Sequence, residues 1–129
     1  MLGNVWEKKA ITIYVRPQRY TKEFLDVSGR FTAMFFEGHQ KELLYLGTHS
    51  GREVPDKITR SGLHLDRIDG QPAFVEGKLV LTCRILFSQQ MKPEGFLDKE
   101  LMEECYPDND YSYCYVAEIE SAYEILGRR

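Results

Sequence analysis

Lys78-Leu79-Val80-Leu81-Thr82-Cys83-Arg84-Ile85-Leu86-Phe87-Ser88-Gln89 is the most regular stretch of the sequence, and it reads as a β-strand. Leu79, Leu81, Cys83, Ile85 and Phe87 recur at every second position, the period at which strand side chains share a face. Lys78, Thr82 and Arg84 fall on the opposite face, interrupted by Val80 and Leu86. Cys83 lies in the middle of the apolar row and reads as a core residue rather than a reactive thiol.

Working outward, residues 9–16 alternate in the same way, with Ile11, Ile13 and Val15 on one face and Thr12, Tyr14 and Arg16 on the other. Pro17 ends that strand, because it has no N–H to donate. Thr21 is placed to cap a helix and Glu23 to favour its N-terminus. Ser28-Gly29 is a plausible stop. Residues 31–36, 63–68 and 113–123 read as further strands, with a turn at Asp69-Gly70. Residues 40–46 are helix-like and end at Gly47. A short helix closes near Ser61-Gly62, and another spans 96–105 ahead of the turn-like Pro107-Asp108-Asn109-Asp110. Five or six strands with short helices predict one mainly β domain, and antiparallel pairing would suit a barrel, which removes exposed edges.

Composition sets the limits. A chain of 129 residues favours one domain and buries roughly two-thirds of its unfolded surface. The net charge of −3 carries no global pull toward nucleic acid or anionic lipid, so any anion site must be local. Cys83, Cys105 and Cys114 are odd in number and lack a Cys-x-x-Cys. This predicts reduced thiols in a cytoplasmic protein, without a disulfide scaffold or a zinc site. His39, His49 and His64 have no metal-ligand spacing. No apolar run approaches the ~18 residues of a membrane span, and the start is not a signal peptide.

Two segments are built for an anion. Val15-Arg16-Pro17-Gln18-Arg19-Tyr20-Thr21 sets two guanidiniums at a strand end, then a hydroxyl and free amides at a helix start. Helix N-termini attract phosphate through unpaired N–H groups and the dipole, and arginine adds a charged fork. Gly47-Thr48-His49-Ser50-Gly51-Arg52, followed by Lys57, offers glycines for close approach, hydroxyls and charge. It is neither a Walker loop nor a dinucleotide fingerprint. On composition alone, solvated surface arginines and a plain connecting loop are the better explanation of these segments.

The ordered set of segments nevertheless resembles the flavin reductase-like family. It begins with Leu2-Gly3-x-x-Trp6-x-Lys8, then Val15-Arg16-Pro17-x-Arg19-Tyr20-Thr21-x-Glu23-Phe24, then Gly47-Thr48-x-Ser50-Gly51-Arg52 and Asp56-Lys57-Ile58. Gly62-Leu63, Gly70-Gln71-Pro72-Ala73-Phe74, Glu76 to Arg84, Phe96-Leu97-Asp98 and Tyr106-Pro107-Asp108-x-Asp110-Tyr111 continue it across nearly the whole chain. The resemblance implies an FMN-binding split β-barrel over residues 1–129 and a homodimer with FMN near the interface. It implies cofactor contacts at Arg16, Arg19, Tyr20 and Thr21, and at Ser50, Gly51, Arg52 and Lys57. Lys57 would face either the phosphate or the polar edge of the flavin. Trp6 would pack beside the ring or serve as an ordinary core or interface residue. Tyr111, Tyr113, Tyr115 and Tyr123 are candidates for the dimer contact, or else core tyrosines.

There are two departures from the family pattern. Family members carry a further strand, with a polar Ser-Trp-Gly-like motif, before the Leu-Gly-x-x-Trp segment. Without it, part of the cofactor pocket and one barrel edge are expected to be open. The family's short members also have a histidine shortly after the Asp-Tyr pair, where this chain reads Ser112-Tyr113-Cys114-Tyr115. The leading expectation is an FMN-dependent oxidoreductase reduced by NADH or NADPH. A flavoredoxin-like electron-transfer protein serving a redox partner is the alternative, and a barrel that has lost FMN and acts as an interaction module is another.

Overall fold

The computed structural model describes residues 1–126. Its frame is one five-stranded antiparallel sheet in the order β1-β2-β7-β6-β3, with a separate β4-β5 hairpin. The elements run β1 (Leu2–Val5), β2 (Lys8–Val15), α1 (Tyr20–Ser28), β3 (Arg30–Phe35), α2 (Gln40–Thr48), α3 (Lys57–Ser61), β4 (Leu65–Ile68), β5 (Gln71–Phe74), β6 (Leu79–Gln90), α4 (Lys99–Cys105) and β7 (Tyr113–Glu124). The mainly β expectation holds, and β6 is the long strand that its alternation predicts.

β6 pairs with β3 and β7 on its two sides, and β2 adds to the other side of β7. This aligns Ile11, Leu81, Cys83 and Ala117 in one buried cluster, flanked by Ile13, Phe31, Ala33, Leu79, Ile85 and Ile119. Burying each large aliphatic side chain there stabilises the fold by roughly 1.5–3 kcal/mol. Cys83 is part of this core, and burial pushes its thiol up to about 11. Such a thiol is inert at neutral pH.

The alternation along β6 fails in two places. Val80 and Thr82 are also buried, because the β4-β5 hairpin lies over their face. Thr32 Oγ1 donates to the Pro72 carbonyl at 2.7 Å, and Tyr123 donates to Asp69 at 2.7 Å. Farther along, Ile85 pairs with Ala117 and Phe87 with Val116, so Leu86 is an extra residue, a β-bulge. The bulge turns Phe87 off the core face and leaves it exposed.

Seven strands are present among the described residues, against the five or six expected. The additions are β1 and β5, each four residues long and tied to its neighbour by a two-residue turn. Asp69 and Gly70 both take positive φ, as a type I′ hairpin turn requires. Trp6 and Glu7 do the same between β1 and β2. Trp6 is therefore a hairpin-tip residue rather than a core one. It is 56% exposed, with its ring centroid 6.4 Å from that of Phe87. Of the tyrosines considered for a dimer contact, Tyr111 and Tyr115 are buried. Tyr115 satisfies its hydroxyl on Asp26 of α1 at 2.8 Å, which lets an aromatic with a polar tip sit in the core.

Three helix boundaries also differ. Thr21 is not the N-cap of α1. The Arg19 amide donates to the Arg16 carbonyl at 3.1 Å, closing a turn with Pro17 at its second position, so the helix is launched at Tyr20 with Arg19 as its cap. Gly47 lies inside α2, which continues to Thr48. α4 starts at Lys99, where Asp98 accepts from the Leu101 amide at 3.1 Å. The stops at Gly29 and Gly62 are as expected, both in the left-handed conformation that glycine adopts freely.

Candidate functional site

The two anion-suited segments meet. The end of β2 and the start of α1 form one wall of an open groove of about 690 Å³, and the stretch from the end of α2 to the start of α3 forms the other. All eight residues expected to hold a cofactor line it: Arg16, Arg19, Tyr20, Thr21, Ser50, Gly51, Arg52 and Lys57. Tyr14, Gln18, His49, Glu53 and Ser112 also contribute to the lining.

The four cations are held differently. Arg16 is built into the frame. Its Nη1 donates to Asp110 Oδ2 at 2.9 Å, its Nη2 donates to the Cys105 carbonyl at 2.6 Å, and its Cζ stands 4.5 Å over the Tyr106 ring. Gln18 donates to the same Asp110 oxygen at 2.7 Å. Gln18 and Arg16 together hold the Asp110 carboxyl below its usual range. Its other oxygen, Oδ1, is buried with no partner among the described residues.

Lys57 donates to the carbonyls of Leu46 and His49 at 3.0 and 2.9 Å. These belong to the last turn of α2 and its cap, where carbonyls lack helical partners and the dipole favours a cation. Lys57 thus pins the C-terminus of α2 to the N-terminus of α3. Lys57→Met is expected to lower stability by roughly 1.5–3 kcal/mol, the range for hydrogen bonds to charged groups. Urea unfolding followed by circular dichroism checks this; an unchanged midpoint would show that the ammonium is dispensable to the fold.

Arg52 pairs with Glu23 of α1, reaches the Gln18 carbonyl at 3.4 Å and lies 4.9 Å from the centre of the Tyr20 ring. Arg19 makes no side-chain hydrogen bond or ion pair among the described residues, and neither do the hydroxyls of Tyr20 and Thr21. The floor is tight. A Cβ on Gly51 would come within 3.0 Å of the Tyr20 ring, so only glycine leaves that ring in place. Ser50 Oγ accepts from the Arg52 amide at 3.2 Å, which shapes the loop and leaves its own hydrogen free to donate.

Sequence reasoning did not anticipate Asp110 as the anchor of Arg16, or Gln18 as the second donor to Asp110. Asp110 is 94 residues from Arg16 and stands in a separate segment of the resemblance, so nothing local in the sequence links the two. Trp6 does not line the groove.

No family model matches the sequence, and neither does any curated protein. Solved structures do. An FMN-binding protein from Thermus thermophilus, determined with p-hydroxybenzaldehyde bound, superposes with a TM-score of 0.67 at 22% identity, over 95% of this chain and 58% of that one. Flavoredoxin from Methanosarcina acetivorans gives 0.67 at 20% identity, over 95% and 65%. A putative flavin reductase with a split barrel domain from Shewanella frigidimarina gives 0.70 at 12% identity, over 95% and 56%. The chain has the split β-barrel fold of these proteins. The neighbours of this split barrel are flavin reductase-like FMN-binding proteins and flavoredoxins. It spans less than two thirds of the length of each of the three. Among the described residues no helix is long and apolar enough to cross a membrane, and no cluster of side chains is arranged to hold a metal ion.

Proposed function

We propose that this split barrel is a flavoprotein that holds FMN in the groove between α1 and the α2–α3 loop, and that it is an oxidoreductase of the flavin reductase type, reduced by NADH or NADPH. The observation that carries the proposal is a groove rich in cations in which the Arg19 guanidinium and the Tyr20 and Thr21 hydroxyls, at the start of α1, have no partner among the described residues. These residues fit a phosphate: a guanidinium and two hydroxyls without partners among the described residues line the groove at the first turn of a nine-residue helix. The Tyr20 ring, seated against Gly51, offers a flat surface beside them.

When bound, FMN supplies the hydride and electron chemistry. The chain's own residues bind and orient it. Arg19, Thr21 and Arg52 would hold the phosphate and Ser50 would donate its free hydroxyl to a polar edge, while Arg16 braces the β2–α1 wall through Asp110 and Lys57 braces the α2–α3 wall through the end of α2.

The test is the absorbance spectrum of the purified protein with FMN added, followed by NADH under nitrogen. A perturbed flavin spectrum that NADH bleaches is the expected result. A perturbed spectrum that NADH leaves yellow would place the protein with electron carriers fed by a redox partner. A spectrum identical to free FMN would remove the flavoprotein reading.

We further propose a homodimer. β1 forms an edge of the sheet, and Leu2, Trp6 and Phe87 are exposed near it. Unpaired strand edges and exposed apolar side chains are relieved by a partner. Light scattering at micromolar concentration should give twice the chain mass of 15.1 kDa. A value of one chain's mass would contradict the dimer.

A further inference from the structure

The groove's cations differ in whether their present partners can leave. Lys57 is held by main-chain carbonyls, which stay with the fold. Arg16 is held by a main-chain carbonyl and by Asp110, itself fixed by Gln18. The partner of Arg52 is different. Glu23 is a surface side chain, 59% exposed, on a flexible stem one turn into α1. It can swing into water without disturbing the backbone. Arg52 itself would keep its place, because the Tyr20 ring and the Gln18 carbonyl still hold the guanidinium.

We propose that Glu23 is an internal counter-ion that occupies Arg52 until an anionic ligand group displaces it, and that it sets the affinity of the site for phosphate-bearing flavins. This inference rests on the reading of the groove as an FMN site. The carboxylate shares the guanidinium with the ligand's phosphate in competition, so binding breaks one ion pair as it forms another. The exchange lowers affinity for a phosphate ester without touching recognition of the ring. Glu23 is thus a specificity-determining residue, working through Arg52 rather than through the flavin.

The experiment titrates FMN and riboflavin, which lacks the phosphate, into wild type, Glu23→Gln, Arg52→Gln and the double variant, following flavin fluorescence. Glu23→Gln should bind FMN about two- to fivefold more tightly, as expected for release from an exposed ion pair. Riboflavin affinity should stay the same, and the gain should vanish in the Arg52→Gln background. Equal or weaker FMN binding by Glu23→Gln overturns the proposal. So does an equal gain for riboflavin, or a gain that survives without Arg52. A lower melting temperature for Glu23→Gln with both flavins weakened would make the pair a structural strut, which also overturns it. If wild type binds neither flavin, the reading of the groove itself fails, and the counter-ion role falls with it.

Discussion

Arg19→Ala is expected to weaken FMN binding by roughly ten- to a hundredfold, with the melting temperature of the protein unchanged. Charge-assisted hydrogen bonds are worth roughly 1.5–3 kcal/mol, which converts to that range. Arg19 is the cation of the groove with no side-chain partner among the described residues, so its removal breaks nothing in the fold. Riboflavin provides the control: its affinity should change little, because it has no phosphate to lose. An Arg19→Ala variant that binds FMN as wild type does would leave the phosphate to Arg52 without Arg19.

Leu81→Ala should behave in the opposite way. Leu81 is 6% exposed and packs with Ile11, Cys83 and Ala117 at the centre of the sheet. Truncation leaves a cavity that a sheet paired on both sides of β6 cannot collapse into. The expected loss is roughly 2–5 kcal/mol. It should appear as a lower urea midpoint with an unchanged slope. The folded fraction should still bind FMN, since Leu81 does not line the groove. An intact midpoint would mean that the core lies elsewhere than in this cluster. Together the two variants separate site from scaffold.

How much of this was legible in the sequence depends on the range of the interaction that decides it. The alternation of β6 is local, and so are the glycine stops of α1 and α3; these could be read directly. β5 could not, because Pro72 argues against a strand. The proline is tolerated because the hairpin lies outside the main sheet and its carbonyl, not its missing N–H, meets Thr32. β1 is four residues of weak strand preference and forms only because β2 offers it a partner. The bulge at Leu86 follows from the register with β7; in the run itself Leu86 shows only as an apolar interruption of the polar face.

The site shows the same division. Which residues line the groove was readable from two segments that each carry charge, hydroxyls and glycine. What each cation does was not. Arg16 is committed by Asp110, Lys57 by the end of α2, and Arg52 by Glu23, across separations of 94, 11 and 29 residues. A sequence shows four equivalent positive charges there; the structure shows one without a side-chain partner among the described residues, one with a removable partner and two that brace the walls.

Titration calorimetry of FMN into the full chain tests the central claim most directly. The account predicts saturable binding of one FMN per chain with micromolar or tighter affinity, lost in proportion when Arg19 is replaced. Binding that is millimolar or absent would contradict it, and would leave a split barrel whose cationic groove serves some other ligand.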